Sequence, residues 1–123
     1  FLTLKDPAEY PVTVLWFSNG GRDYPPWNGR HIGVLGMEEG RTTLAGHRAS
    51  IGPNPLSESG TPTALELVPD GRVEMHNVIG GLSVTDGAGV VADVRPGAGV
   101  LSVGFEGSPA QQVPFDDTFL GRG

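Results

Sequence analysis

The stretch WFSNGGRDYPPWNGRHIGVLGMEE, from Trp16 to Glu39, decides the fold of this 123-residue chain. Both of its ends are strand-like, and its middle is a loop rich in Gly, Pro and Asn. Strands are predicted over Val12 to Phe17 and over Ile32 to Met37. The first is apolar on both faces, so we expect it to lie inside a stack of sheets rather than at a wet edge.

The same pattern continues outward as short β-rich runs separated by Gly, Pro, Asn and Asp. Further strands are predicted over Ala64 to Val68, Arg72 to Met75, Leu82 to Thr85, Val90 to Val94 and Val100 to Phe105. The 20 Gly and 11 Pro residues would interrupt helices repeatedly, and Pro53 to Pro62 is predicted to be a loop. The sequence therefore predicts an all-β fold, a β-sandwich with minimal helix.

The length of the chain is that of one domain, so residues 1–123 are predicted to form a single β-sandwich domain. The chain begins with FLTLKDP, without Met and already in a strand-and-turn pattern, and we expect it to be the C-terminal portion of a longer protein. The start lacks the pattern of a secretory signal, and a cytoplasmic location is expected. The absence of Cys leaves the redox compartment open.

The formal charge of −6 and the eight scattered Lys and Arg residues argue against nucleic acid and against an anionic membrane surface as partners. No apolar run approaches the roughly 20 residues that span a bilayer. His31, His47 and His76 are far apart in sequence, and no metal site is expected. The run GAGVVA from Gly87 to Ala92 fits a relaxed dinucleotide pattern, but the helix that must follow would run into Pro96 and Gly97. We therefore expect no cofactor.

The loop between the two central strands suits a sugar ligand. Asn19 and the two glycines after it tolerate positive φ and allow a sharp turn, while Pro25 and Pro26 stiffen the segment before Trp27. Pyranose C–H faces stack on aromatic rings, and amide and guanidinium groups hydrogen-bond hydroxyls. The residues predicted to contact a sugar are Asn19, Arg22, Tyr24, Trp27, Arg30 and His31. Alternatively, the Trp and Tyr only plug the end of the sandwich.

The second central strand carries two glycines and ends in two carboxylates. Gly33 and Gly36 leave room for a close approach to the backbone, and a ligand is one candidate for the approaching group. Strand alternation sends Glu38 and Glu39 to opposite faces, so that only one of them can face a shared pocket. Alternatively, both are solvated charges at a strand end.

The run from Trp16 to Glu39 resembles the later part of aldose 1-epimerase (galactose mutarotase-like) proteins. In that family an aromatic, Arg-containing loop precedes a strand that ends in Gly, an apolar residue and Glu. The resemblance implies a β-supersandwich more than twice as long as this chain, and catalysis on a sugar hemiacetal by a Glu base and a His acid. It places the catalytic base at Glu38. Glu39 stands where better-known members often have Pro.

The acid histidines of the family come from an earlier part of its fold. His31 lies seven residues from Glu38, which along a straight strand is about 23 Å and the opposite face. We therefore expect His31 to line the substrate site or to be structural. An upstream segment of the same protein, or a homo-oligomer, is an expected partner.

Three functions stay open. The chain is part of an aldose 1-epimerase or mutarotase, a non-catalytic carbohydrate-binding β-sandwich, or an accessory domain of a lyase or glycosidase. Related sandwiches host several activities, so resemblance of fold does not separate them.

Overall fold

The computed structural model describes residues 1–84 and 86–118, which form strands, two short helices and connecting turns. The strands are β1 (Leu2–Lys5), β2 (Val12–Asn19), β3 (Ile32–Gly40), β4 (Asn77–Gly80), β5 (Val91–Gly97), β6 (Val100–Phe105) and β7 (Ser108–Pro114). The helices are α1 (His47–Ile51) and α2 (Pro55–Glu58). Every strand pairing is antiparallel, in sheets ordered β1-β4, β2-β3 and β5-β6-β7. The all-β prediction is confirmed.

The chain divides into two compact units. One consists of Phe1–Asp6 and Met75–Gly123, and the other is Pro7–Glu74. The single-domain organisation over residues 1–123 stays a prediction.

The unit formed by Phe1–Asp6 and Met75–Gly123 has an apolar core on β6. Leu101, Val103 and Phe105 alternate along this central strand and are 1%, 3% and 7% exposed. This is the period of two that buries one face of a sheet. The partly buried residues packed against them are Leu2, Leu4, Leu82, Ala88, Val113 and Phe115. Full burial of one such side chain stabilises the folded state by about 1.5–3 kcal/mol. Because Leu101, Val103 and Phe105 are the buried apolar residues described in this unit, they make the main apolar contribution to its stability.

The unit Pro7–Glu74 is built on the ribbon of β2 and β3. Val14 pairs with Glu38 and Trp16 with Gly36 in a regular antiparallel register. Leu15 and Phe17 on β2 are 58% and 74% exposed. The predicted burial of this strand within a stack of sheets is therefore wrong among the described residues, because β2 has one paired neighbour and no second layer covers these side chains.

The buried interior of Pro7–Glu74 is polar. Its buried residues are Ser50, Asn54 and Thr63. The side-chain amide of Asn54 donates to the backbone carbonyls of Ala49 and Gly52 and to Thr63 Oγ1, at distances of 2.8–3.1 Å. Hydrogen bonding of this kind offsets the cost of burying polar groups.

The same asparagine explains a helix that the sequence did not predict. The Asn54 side-chain oxygen accepts hydrogen bonds from the backbone amides of Leu56 and Ser57, each at 3.1 Å. In return, Ser57 Oγ accepts a hydrogen bond from the backbone amide of Asn54 at 3.0 Å. This capping box starts α2 inside the segment predicted to be a loop. The prediction for Pro53 to Pro62 is therefore wrong at its centre, since Pro55 is well suited to the first turn of a helix.

Two predicted strands, Ala64 to Val68 and Arg72 to Met75, do not form. Leu67 and Val68 are 72% and 62% exposed, and the Gly71 amide closes a turn onto the Val68 carbonyl. The segment 82–84 is not a strand either, and Thr85 lies outside the described residues. In the described part of the chain, none of these segments pairs with a strand. An extended segment without such pairing is not part of a sheet. Among the described residues, no helix is long and apolar enough to cross a membrane.

Candidate functional site

The loop between β2 and β3 is held closed by its own backbone. The Tyr24 carbonyl accepts from the amides of Trp27 and Asn28 at 2.9 and 3.0 Å, and the Gly29 amide donates to the Arg22 carbonyl at 2.9 Å. Asn28 and Gly29 have φ of 48° and 68°, the left-handed region that Asn and Gly tolerate best. At the turn predicted after Asn19, Gly20 has a positive φ of 75° and its amide donates to the His31 carbonyl at 3.0 Å. The left-handed pair Asn28 and Gly29 was not predicted from the sequence.

This loop and the ribbon enclose an open cleft of ≈ 730 Å³ within the unit Pro7–Glu74. Five of the seven residues predicted for the site line it: Asn19, Arg22, Trp27, His31 and Glu38. The other residues of the lining are Trp16, Phe17, Ser18, Gly20, Gly21 and Gly29. The cleft therefore combines aromatic rings, one guanidinium, one imidazole and one carboxylate.

Trp27 is the ring around which the polar groups of the loop gather. The guanidinium carbon of Arg22 lies 5.3 Å from the centroid of the Trp27 ring, a cation–π distance worth about 0.5–1 kcal/mol at an exposed site. The His31 ring meets Trp27 edge-on, with centroids 5.6 Å apart and planes at 68°. Trp27 is 37% exposed, so part of the indole still faces solvent.

Two predicted contact residues lie outside the cleft lining. Arg30 donates to the backbone carbonyls of Trp27 and Pro26, so its guanidinium holds the loop together. Tyr24 is 54% exposed and does not line the cleft, although its carbonyl closes the turn. Of the two loop aromatics predicted to contact a sugar, only Trp27 belongs to the cleft lining.

His31 and Glu38 both line the cleft, although alternation along a straight strand would place them on opposite faces. Ser18 pairs with Val34 but Asn19 pairs with Ile32, so Gly33 is an extra residue in β3. Its φ of 66° is typical of a bulge with glycine at the left-handed position. One extra residue reverses the alternation of every side chain beyond it, and so brings His31 to the cleft face.

Glu38 and Glu39 lie on opposite faces of β3, as strand alternation predicts. Glu38 Oε1 accepts a hydrogen bond from the Trp16 indole Nε1 at 3.1 Å and lines the cleft. Glu39 Oε2 accepts from Thr13 Oγ1 at 2.7 Å on the other face. Of the two carboxylates, only Glu38 is available to the cleft. Its side chain is exposed to solvent rather than buried.

Among the lining residues that the sequence analysis did not predict, Trp16 is the one that hydrogen-bonds to Glu38. The sequence pattern assigns it only to an apolar strand. The signal that could have identified it is the glycine opposite: Trp16 pairs with Gly36, and a Cβ at Gly36 would overlap the Trp16 indole. The group that approaches the backbone at Gly36 is therefore a side chain of the protein itself. At Gly33, by contrast, a Cβ would meet nothing within 4 Å, and the requirement there is for positive φ.

Within residues 1–84 and 86–118, no group of three or more His, Asp or Glu side chains is arranged to hold a metal ion. The chemistry that the cleft offers is therefore that of one carboxylate, one imidazole, one guanidinium and aromatic surface. Comparison of the chain with protein-family models, curated proteins and solved structures found no match.

Proposed function

We propose that the cleft binds an aldose and that Glu38 acts as the general base in interconversion of its anomers. The observation that carries the proposal is the position of the Glu38 carboxylate in a cleft with aromatic rings and with a fork-shaped donor at Arg22. Aromatic faces suit pyranose C–H groups, and Asn19 and Arg22 suit the hydroxyl rim. The resemblance of Trp16 to Glu39 to aldose 1-epimerase-like proteins supports the same assignment.

The reaction requires a base and an acid. Opening a pyranose hemiacetal removes the proton of the anomeric hydroxyl while the ring oxygen gains one. A positioned acid or base contributes about 10²–10⁴-fold to the rate. Glu38 is the carboxylate of the cleft, and His31 is the second titratable side chain in its lining. An upstream segment or a second copy of the chain is the other proposed source of the acid.

We also propose that the chain forms part of a β-supersandwich and that the protein is cytoplasmic. A β-sandwich that forms part of a supersandwich would give the exposed ribbon of β2 and β3 further strands to pack against.

Substitution of the base tests the proposal. Glu38→Gln should lower anomer interconversion of a freshly dissolved aldose by two or more orders of magnitude, measured by polarimetry or NMR exchange, with sugar affinity changed little. The matched control is Glu39→Gln, which lies on the opposite face of the same strand and should have little effect. Equal activity in Glu38→Gln and its parent would overturn the assignment of the base.

The alternative function is a non-catalytic carbohydrate-binding module, which the aromatic and guanidinium pair of Trp27 and Arg22 would also serve. Titration with monosaccharides separates the two. A module would bind sugar, lose affinity in Trp27→Ala, and leave the rate of anomer interconversion at its background value. Tyr24→Ala is the control, since Tyr24 lies outside the cleft lining and should retain affinity.

A further inference from the structure

We infer that Trp16 is a positioning residue that holds the Glu38 carboxylate in a fixed orientation at the cleft, an assignment that rests on the proposed role of Glu38. The register of the ribbon places the two residues on one face. Trp16 pairs directly with Gly36, and Val14 pairs with Glu38 two residues further along. Residues two apart on a strand share a face, so Trp16, Gly36 and Glu38 lie together on one side of the ribbon.

Gly36 provides the space in which the indole lies. A Cβ at this position would overlap Nε1, Cε2 and Cζ2 of Trp16, which are the atoms of the indole edge that carries the N–H. The φ of Gly36 is not in the left-handed region, so backbone conformation does not require glycine here. The absence of a side chain at Gly36 therefore leaves the space that the Trp16 indole occupies on its way to Glu38.

The indole then fixes the carboxylate. Trp16 Nε1 donates to Glu38 Oε1 at 3.1 Å, and in the described part of the chain it is the hydrogen-bond donor that reaches this carboxylate. An indole N–H can only donate, so it favours the carboxylate with Oε1 turned to the ring and Oε2 left for a substrate proton. A glutamate exposed on a strand otherwise samples several rotamers, and a displacement of about 1 Å in a reacting group can cost about 10²-fold in rate.

The bond is measurable without any sugar. The chain has two tryptophans, so a ¹H–¹⁵N spectrum contains two indole resonances, which Trp16→Phe assigns. In Glu38→Ala the Trp16 indole resonance should shift and its hydrogen exchange should become faster, while the Trp27 resonance stays in place. Gly36→Ala should produce the same change, because the new Cβ displaces the ring. Gly40→Ala is the control on the same face of β3, where a Cβ meets nothing within 4 Å, and it should change neither signal.

Kinetics then distinguish positioning from packing. Trp16→Phe keeps an aromatic ring but removes the N–H, and it should lower kcat for anomer interconversion by about ten-fold or more with KM changed by less than about three-fold. The double variant Trp16→Phe, Glu38→Gln should have nearly the same kcat as Glu38→Gln alone, because both changes remove the same oriented base.

A Trp16 indole signal that does not respond to Glu38→Ala would overturn the inference, and so would a Trp16→Phe variant with the kcat of its parent. If the indole responds but the parent shows no anomer interconversion, the proposed function fails, whereas the orientation of Glu38 by Trp16 stands.

Discussion

β6 and β2 have similar sequences and opposite environments. VLSVGF in β6 and VTVLWFSN in β2 are both apolar, β-branched or aromatic runs. Leu101 on β6 is 1% exposed because its strand is the centre of a three-stranded sheet with packed neighbours, whereas Leu15 on β2 is 58% exposed in a two-stranded ribbon. Apolar composition thus predicted extended backbone in both places, but the number of neighbouring elements decided which strand is buried.

The interiors of the two units differ in the same way. Among the described residues, the buried ones of the unit carrying β6 are the apolar Leu101, Val103 and Phe105, while those of Pro7–Glu74 are Ser50, Asn54 and Thr63. An apolar interior gains stability from burial itself, and a polar one depends on every hydrogen bond being made. The two units should therefore respond differently to truncation of a side chain.

The largest effect should come from Leu101→Ala, which removes a fully buried side chain from the centre of β6. We expect a loss of about 2–5 kcal/mol in the free energy of unfolding, from lost burial and the cavity left behind. Urea unfolding followed by far-ultraviolet circular dichroism measures it. Both tryptophans lie in Pro7–Glu74, so their fluorescence reports on that unit separately. A loss below about 1 kcal/mol would show that β6 is not the main apolar core.

The polar interior should be sensitive to Asn54→Ala, which deletes the helix cap and the side-chain amide whose two N–H groups are shared among Ala49, Gly52 and Thr63. The expected loss is about 1–3 kcal/mol, followed by tryptophan fluorescence in urea. Asn54→Asp keeps the oxygen that caps α2 but loses the amide donors, and its loss of stability should be intermediate. If Asn54→Ala leaves the free energy of unfolding unchanged, the polar interior does not depend on these hydrogen bonds, and the proposed difference between the two interiors is wrong.

A smaller effect is expected at the bulge that turns His31 towards the cleft. Gly33→Ala places a side chain at φ 66°, a conformation that costs an L-residue about 1–2 kcal/mol. Gly40→Ala, with no positive φ and no nearby atoms, is the matched control and should change stability by less than about 0.5 kcal/mol. Urea unfolding gives both values. Equal losses of unfolding free energy in the two variants would mean that the positive φ at Gly33 does not require glycine.

The smallest effect should come from Leu15→Thr on β2. The side chain is already 58% exposed, and Thr keeps β propensity, so the free energy of unfolding should change by less than about 0.5 kcal/mol. Urea unfolding followed by tryptophan fluorescence checks it. A loss comparable to that of Leu101→Ala would show that Leu15 is covered in solution, which would contradict the contrast between β2 and β6.

Sequence reasoning located the candidate site better than it described the packing around it. Asn19, Arg22 and Trp27 were expected on one sugar-binding loop, and the structure places all three in the cleft lining. His31 and Glu38 were expected on opposite faces of a straight strand, yet both line the cleft. Tyr24 and Arg30 belong to the same loop but serve its turn rather than the cleft. Loop membership is a local property, whereas the direction of each side chain depends on the turn's own hydrogen bonds.

By itself, the sequence determined that the chain is rich in strands and that Glu38 and Glu39 face opposite ways, since both follow from the local geometry of an extended backbone. Only the tertiary structure decided the rest. The register that sets Trp16 opposite Gly36 joins the indole to Glu38, and one extra residue at Gly33 brings His31 to the face of Glu38. Pairing between strands distant in sequence fixes these relations, because a shift of a single residue in register exchanges the two faces of a strand.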